Sequence, residues 1–166
     1  MPTEPFNDLI IVHTNCQSAM NKKGEIHDVI DANKPHVLAL TEFGAAPSVK
    51  DNELGIDGYT FYRGDHSDGK GGLGKGVGMY VHNSLNLSAC PYFDNIVFDC
   101  STWSVIKLKD NKSLLLGAVY WSPNSNGENN HKLLMMLRKA ASRLFNDMRR
   151  LQPANDRLGF SSEPSC

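Results

Sequence analysis

An amide, a carboxylate and a phenol each stand at the end of a short apolar run in this 166-residue chain. Asn15 closes Leu9-Ile10-Ile11-Val12-His13-Thr14-Asn15, Glu42 closes Val37-Leu38-Ala39-Leu40-Thr41-Glu42, and Tyr120 closes Leu114-Leu115-Leu116-Gly117-Ala118-Val119-Tyr120. A hard divalent cation such as Mg²⁺ prefers oxygen and keeps several of its waters, so one protein carboxylate plus a substrate phosphate can hold it. Gathered on one rim, the three would make a phosphodiester site. Each residue also has an ordinary use. Glu is mostly a surface residue, Asn is common in turns, and Tyr120 with Trp121-Ser122-Pro123-Asn124 fits aromatic packing at a strand exit.

The elements that must position them follow from the hydrophobic pattern. Short branched apolar runs bounded by turn residues predict buried strands. Ser18 is expected to cap a helix reaching about Asn33, with Ile26, Val29 and Ile30 as its apolar face. Gly24 weakens that helix near its start and Lys34-Pro35 ends it. A strand at 37–42 then completes a β-α-β opening, expected as a right-handed parallel crossover. The three runs are expected to be neighbours in one mixed sheet, with Asn15, Glu42 and Tyr120 at its edge. Residues 43–57 are expected as a polar loop. Further strands are predicted at 59–62 and 77–82, a turn at Asn83-Ser84, and a hairpin of 97–108 with 113–120 across Lys109-Asp110-Asn111-Lys112. From Asn129 to about 148, Leu133, Leu137, Ala140, Ala141, Leu144, Phe145 and Met148 recur at helical spacing as one stripe. Past Gln152-Pro153 a loose tail is expected.

Other features weigh against competing chemistries. Gly69, Gly71 and Gly74 match GxGxxG, but Gly76 follows Lys75 where a P-loop needs Ser or Thr, and a strand follows rather than a helix. That stretch is expected to be a surface loop between two strands. Histidines 13, 27, 36, 66, 82 and 131 show no metal-ligand spacing, and Cys16, Cys90, Cys100 and Cys166 form no CxxC pair. The formal net charge is −1, unevenly spread: up to Glu128 there are 10 Lys and Arg against 15 Asp and Glu, and beyond it 7 against 3. The segment bearing the three candidates therefore lacks the basic patch typical of nucleic-acid binders. No apolar run approaches the roughly 20 residues that span a bilayer, and no secretory h-region opens the chain. An intracellular location, nuclear or cytoplasmic, with free thiols is expected.

Order and surroundings of the three strand ends add a resemblance. Asn15 after a first strand, an amphipathic helix, and then Val37 to Glu42 resemble the opening of the endonuclease/exonuclease/phosphatase superfamily. Within it, the pattern is similar to the apurinic-type endonuclease domain of LINE-type retrotransposons. Gly58-Tyr59 before Phe61-Tyr62-Arg63, a glycine-rich loop into Val77-Gly78-Met79-Tyr80-Val81, and Val119-Tyr120-Trp121-Ser122-Pro123-Asn124 extend the likeness over residues 9–141. The resemblance implies part of a four-layer α/β/β/α sandwich. It implies Glu42 as the ligand of Mg²⁺ or Mn²⁺, Asn15 beside it in the metal shell and at the phosphate, and Tyr120 on the scissile phosphate of DNA. A phosphatase acting on lipid or small phosphate esters would share the same Glu.

This sequence also departs from that pattern. The family's later Gly-Asp-x-Asn strand end and Ser-Asp-His motif are absent, and after Ser142 the chain runs Arg143-Leu144-Phe145-Asn146-Asp147-Met148-Arg149-Arg150. Residues 1–142 are thus expected to be the N-terminal part of the domain and 143–166 a divergent basic tail. A positioned base contributes typically about 10²–10⁴ in rate, so a truncated, weak or inactive enzyme is expected. The alternative is a non-catalytic binding or scaffold remnant of that domain. With the partner sheet missing, an exposed apolar sheet face and self-association are expected.

Overall fold

The computed structural model describes residues 8–45, 48–64, 76–93, 96, 98–108 and 112–151, with side chains as far as Ser142. β1 (Ile11–Asn15), β2 (Val37–Thr41), β3 (Tyr59–Gly64) and β4 (Val77–His82) form one sheet in the order β1-β2-β4-β3. β5 (Asn86–Ala89), β6 (Ser101–Lys107) and β7 (Ser113–Val119) form a second, in chain order. Two helices complete the described elements, α1 (Lys23–Asn33) and α2 (Gly127–Leu151).

These elements stack as α1, first sheet, second sheet, α2. Strand side chains alternate between faces, and the alternation in β2 and β4 feeds two cores. Leu38, Leu40 and Tyr80 pack with Ile26 and Ile30 of α1. Val37, Met79 and Val81 pack with Ile106, Leu114 and Leu116 of the second sheet. A third cluster joins Phe93 and Phe98 to Leu133 and Met136 of α2, with Trp103, Leu115 and Val119 against it. Leu38, Leu40, Val37 and Val81 are fully buried, each stabilising the fold by about 1.5–3 kcal/mol relative to exposure.

The expected β-α-β opening is present. β1 and β2 pair in parallel, from Ile11 opposite Val37 to Asn15 opposite Thr41. α1 starts later than expected, at Lys23, and its N-cap residue Lys22 makes no side-chain cap bond. Ser18 is buried instead, and its N–H donates to Glu42 O. The helix stops at Lys34, which takes a left-handed conformation (φ 44°) and donates its N–H to Ile30 O at 2.8 Å. The hairpin of β6 and β7 is also as expected, with its tip residues 109–111 outside the described residues.

Four expectations are corrected. The three candidate-bearing strands do not share a sheet: β1 and β2 lie in the first, β7 in the second. An apolar run marks a strand, not which sheet receives it or how deeply it is buried: β1 alternates exposed and half-buried residues. Nor is the partner sheet missing. Three of its strands lie over the first sheet, β6 against β3 and β4, and β7 against β4 and β2, so no whole face is left bare. Along α2, the buried line runs through Leu133 and Met136, while Leu137 is 46% exposed. The segment 43–57 also contains a short 3-10 turn at Asp51–Leu54 that the polar composition concealed.

Candidate active site at the strand rim

Although split between two sheets, the three candidates lie at the same end of the sandwich. Parallel pairing sets Asn15 opposite Thr41, one residue before Glu42. The antiparallel neighbour β4 brings Val77 opposite Thr41, and β3 brings Gly64 opposite Val77. Gly64 lies so close to β6 that a Cβ on it would stand 2.2 Å from Ser101 O. Ser101 pairs with Val119, and Tyr120 N–H donates to Cys100 O at 2.9 Å. The rim therefore runs from Asn15 through Glu42, Val77, Gly64 and Ser101 to Tyr120. Gly64 and Gly76 flank the glycine-rich segment at this rim; residues 65–75, with the GxGxxG match, lie outside the described residues.

Backbone conformation singles out the two loops beside Asn15 and Glu42. Glu42 takes φ 52°, Gln17 φ 44° and Ser18 φ 100°, a left-handed region that L side chains rarely adopt. Such residues cost about 1–3 kcal/mol each and collect at functional sites. Hydrogen bonds hold them there. Cys16 N–H donates to Thr41 O (3.0 Å), Ser18 N–H to Glu42 O (3.1 Å) and Ala19 N–H to Phe43 O (2.8 Å). The Cys16 thiol also points to Glu42 O at 3.8 Å, and burial pushes its pKa up, so it stays a neutral donor. Glu42 has its carbonyl tied into this ladder while the residue stays half-exposed.

Period-two alternation also places His13 on the Asn15 face of β1, where its Nε2 meets Thr41 Oγ1 at 3.2 Å. His13 was passed over in the sequence because it has no ligand spacing, yet its position two residues before Asn15 carried the signal. On the far side of the rim, Trp121 is 63% exposed and its Nε1 donates to Asn130 Oδ1 at 2.8 Å. Trp103, by contrast, turns a buried Nε1 toward no hydrogen-bond partner in the described structure. Among the described residues no three His, Cys, Asp or Glu side chains cluster as a metal cage. Among the described residues of the rim the carboxylate at the end of β2 is Glu42, and the parallel register sets Asn15 on the neighbouring strand end. That donor set suits a hydrated hard ion held partly by its substrate, not a closed site.

Comparison with solved structures agrees with this architecture. The chain is similar to the endonuclease domain of TRAS1, a telomere-specific non-LTR retrotransposon, with TM-score 0.55, 17% identity, and 78% of this chain against 54% of that one. Similar, too, are the AP endonuclease LMAP from Leishmania major (TM-score 0.55, 18% identity, 72% against 42%) and the human Nocturnin catalytic domain (0.54, 14%, 81% against 59%). This chain has the endonuclease/exonuclease/phosphatase fold. It spans about half the length of the structures it matches. No family model matches the sequence, and the comparison with curated proteins gives no match.

Proposed function

We propose that the rim of Asn15, Glu42 and Tyr120 is a divalent-metal phosphodiester site, and that the chain is a DNA endonuclease domain of retrotransposon type with low activity of its own. The observation that carries this reading is the parallel register that sets Asn15 next to Glu42, together with the left-handed backbone at Glu42. Support from the comparisons is that the matched TRAS1 and LMAP structures are themselves endonucleases.

In this reading Glu42 would hold Mg²⁺ or Mn²⁺, Asn15 beside it would orient the metal shell or a phosphate oxygen, and Tyr120 would contact the scissile phosphate. When bound, the ion supplies Lewis-acid stabilisation of the charge that develops on the leaving oxygen. The Gly-Asp-x-Asn and Ser-Asp-His motifs to which the resemblance assigns water activation and bracing of the phosphate are absent from this sequence, so turnover by this chain would be slow. The same lack favours a second reading, a binding remnant that docks another chain and does no chemistry.

Titration of Mn²⁺ and Mg²⁺ separates the two. Weak binding that falls at least tenfold in Glu42→Gln, with residual Mn²⁺-dependent nicking of supercoiled plasmid lost in the same variant, is the expected result. Equal metal affinity in wild type and Glu42→Gln overturns the site.

A further inference from the structure

The outer face of the second sheet is used unequally. Toward the rim, Trp103, Leu115 and Val119 pack against the cluster that holds Leu133 and Met136 of α2. At the opposite end of the same face lies a cavity of about 550 Å³. Ile106 belongs to the core between the sheets, so alternation turns its neighbours Val105 and Lys107 outward. Register then sets Ser88 beside Val105 and Ser113 beside Lys107. All four line the cavity, and the loop leaving β5 adds Pro91 and Tyr92 to its wall. Ser101, at the rim, and Lys107 are the two ends of β6. At a strand rise of roughly 3.3 Å per residue, the cavity lies about 20 Å from the rim.

The charge of this cavity runs against that of the sequence around it. Up to Glu128 the chain carries 10 Lys and Arg against 15 Asp and Glu. Yet Lys107 and Lys112 both line the cavity, and among the described residues no acid does. The hairpin tip between them, Lys109-Asp110-Asn111, sums to zero charge. Among the described residues neither lysine belongs to an ion pair. Like charges at one cavity repel, and an anion held by both removes that cost. The remaining wall is mixed, with apolar Val105 and Pro91 beside the hydroxyls of Ser88 and Ser113. Small-molecule sites have this form: a cleft of roughly 300–1,000 Å³, largely apolar, with a few polar groups that fix orientation.

We infer that the cavity is a second binding site, and that its ligand is a nucleoside phosphate. Lys107 and Lys112 would hold the phosphate as point charges. Tyr92 would lie against the base, since aromatic side chains stack on the π-face that every base has. Ser88 and Ser113 would bond the sugar or the base edge. Simpler ligands use less of the wall. An inorganic anion leaves Val105 and Pro91 in water, and an acyl chain covers the two serine hydroxyls without giving them a partner, which costs free energy. The nucleoside phosphate is either a free nucleotide or one unit of a strand, and the recognition chemistry is the same for both. The inference requires neither Glu42 nor a metal, so it stands or falls separately from the nuclease reading.

NMR titration of the full chain tests it, with dAMP as the probe and EDTA present so that no divalent cation draws phosphate to the rim. dAMP is expected to shift the amides of Ser88, Tyr92, Lys107 and Ser113 saturably at millimolar concentration or below. Deoxyadenosine and inorganic phosphate should each bind at least tenfold more weakly. Lys107→Gln and Lys112→Gln, both at exposed positions, should each weaken dAMP at least threefold, and Lys139→Gln on α2 should leave it unchanged. Single-stranded oligodeoxyadenylate identifies the source. Binding that needs the two lysines and is at least tenfold tighter than that of dAMP assigns the site to a unit of a strand; anything weaker assigns it to the free nucleotide. Inorganic phosphate binding as tightly as dAMP would reduce the site to a patch of charge and overturn the inference. So would dAMP that leaves the four amides unmoved, binds both lysine variants as it binds wild type, or is lost in Glu42→Gln.

Discussion

The two ends of the first sheet are built on opposite terms. At the end away from the candidate site, side chains tie backbone groups down. Ile10 N–H donates to His36 Nδ1 (3.0 Å), and the Tyr59 hydroxyl donates to Pro35 O (2.6 Å). His82 N–H donates to His36 O (2.8 Å), and the His82 Nδ1 meets Ser84 Oγ at 2.6 Å. None of the residues in that network has positive φ. At the rim end, Ser18 and Glu42 are held in left-handed conformations, and Asn15 and Trp121 are exposed. A sheet secured at one end can carry backbone strain and exposed side chains at the other, where a ligand can reach them.

The comparison breaks most visibly at Gly64. A methyl there collides with the backbone of Ser101, and backbone, unlike the tip of a long side chain, cannot swing aside. Gly64→Ala is expected to cost about 1–3 kcal/mol, as overpacking does, and to separate the two sheets at the rim first. Denaturant melts give the cost, and amide exchange at Ser101 and Val119 shows where the separation begins.

Glu42→Gly sharpens the contrast with an effect of opposite sign. Left-handed backbone costs an L residue roughly 1–2 kcal/mol, partly offset by the greater entropy glycine loses on folding. The variant is expected to be more stable by about 1 kcal/mol or less while losing the proposed metal site. A lower melting temperature would show that the Glu42 side chain stabilises the rim.

The smallest effect belongs to the tied end. Burial holds the His36 pKa below its ordinary 6.5, with nearby His82 pushing the same way. A histidine whose folded pKa is depressed stabilises the fold when neutral. That contribution is complete above about pH 6.5, the unfolded value, and is lost as pH falls through the lower folded value. Melting temperature should therefore decline on acidification below pH 6.5, and His36→Gln, whose amide oxygen can still accept from Ile10 N–H, should flatten that slope. An unchanged slope in the variant would assign the pH dependence to other groups.

Much of this architecture is legible in the chain. Branched apolar runs mark β1, β2, β4 and β7 closely, and Lys34-Pro35 marks the end of α1. β5 escapes notice because Asn86-Leu87-Ser88-Ala89 has only Leu87 to signal burial. Sheet membership escapes too, since β7, buried against both a sheet and a helix, has the same composition as a central strand of the first sheet. At the site, the residue types of Asn15, Glu42 and Tyr120 were visible, and their common rim could be expected. The left-handed backbone at Ser18 and Glu42 was not, because neither is the Gly or Asn that usually announces it. His13 was discounted for want of ligand spacing, although alternation alone puts it on the Asn15 face.

The placement of the only two tryptophans in the chain has an optical consequence. Trp103, with its indole nitrogen buried, should emit at short wavelength and report on whether the layers stay packed. Trp121, 63% exposed and adjacent to Tyr120, should emit further to the red and be open to soluble quenchers. Exchanging either for phenylalanine leaves a protein with one intrinsic fluorophore. Occupancy at the rim and unfolding of the sandwich can then be followed separately, each in its own single-tryptophan variant, with no label attached.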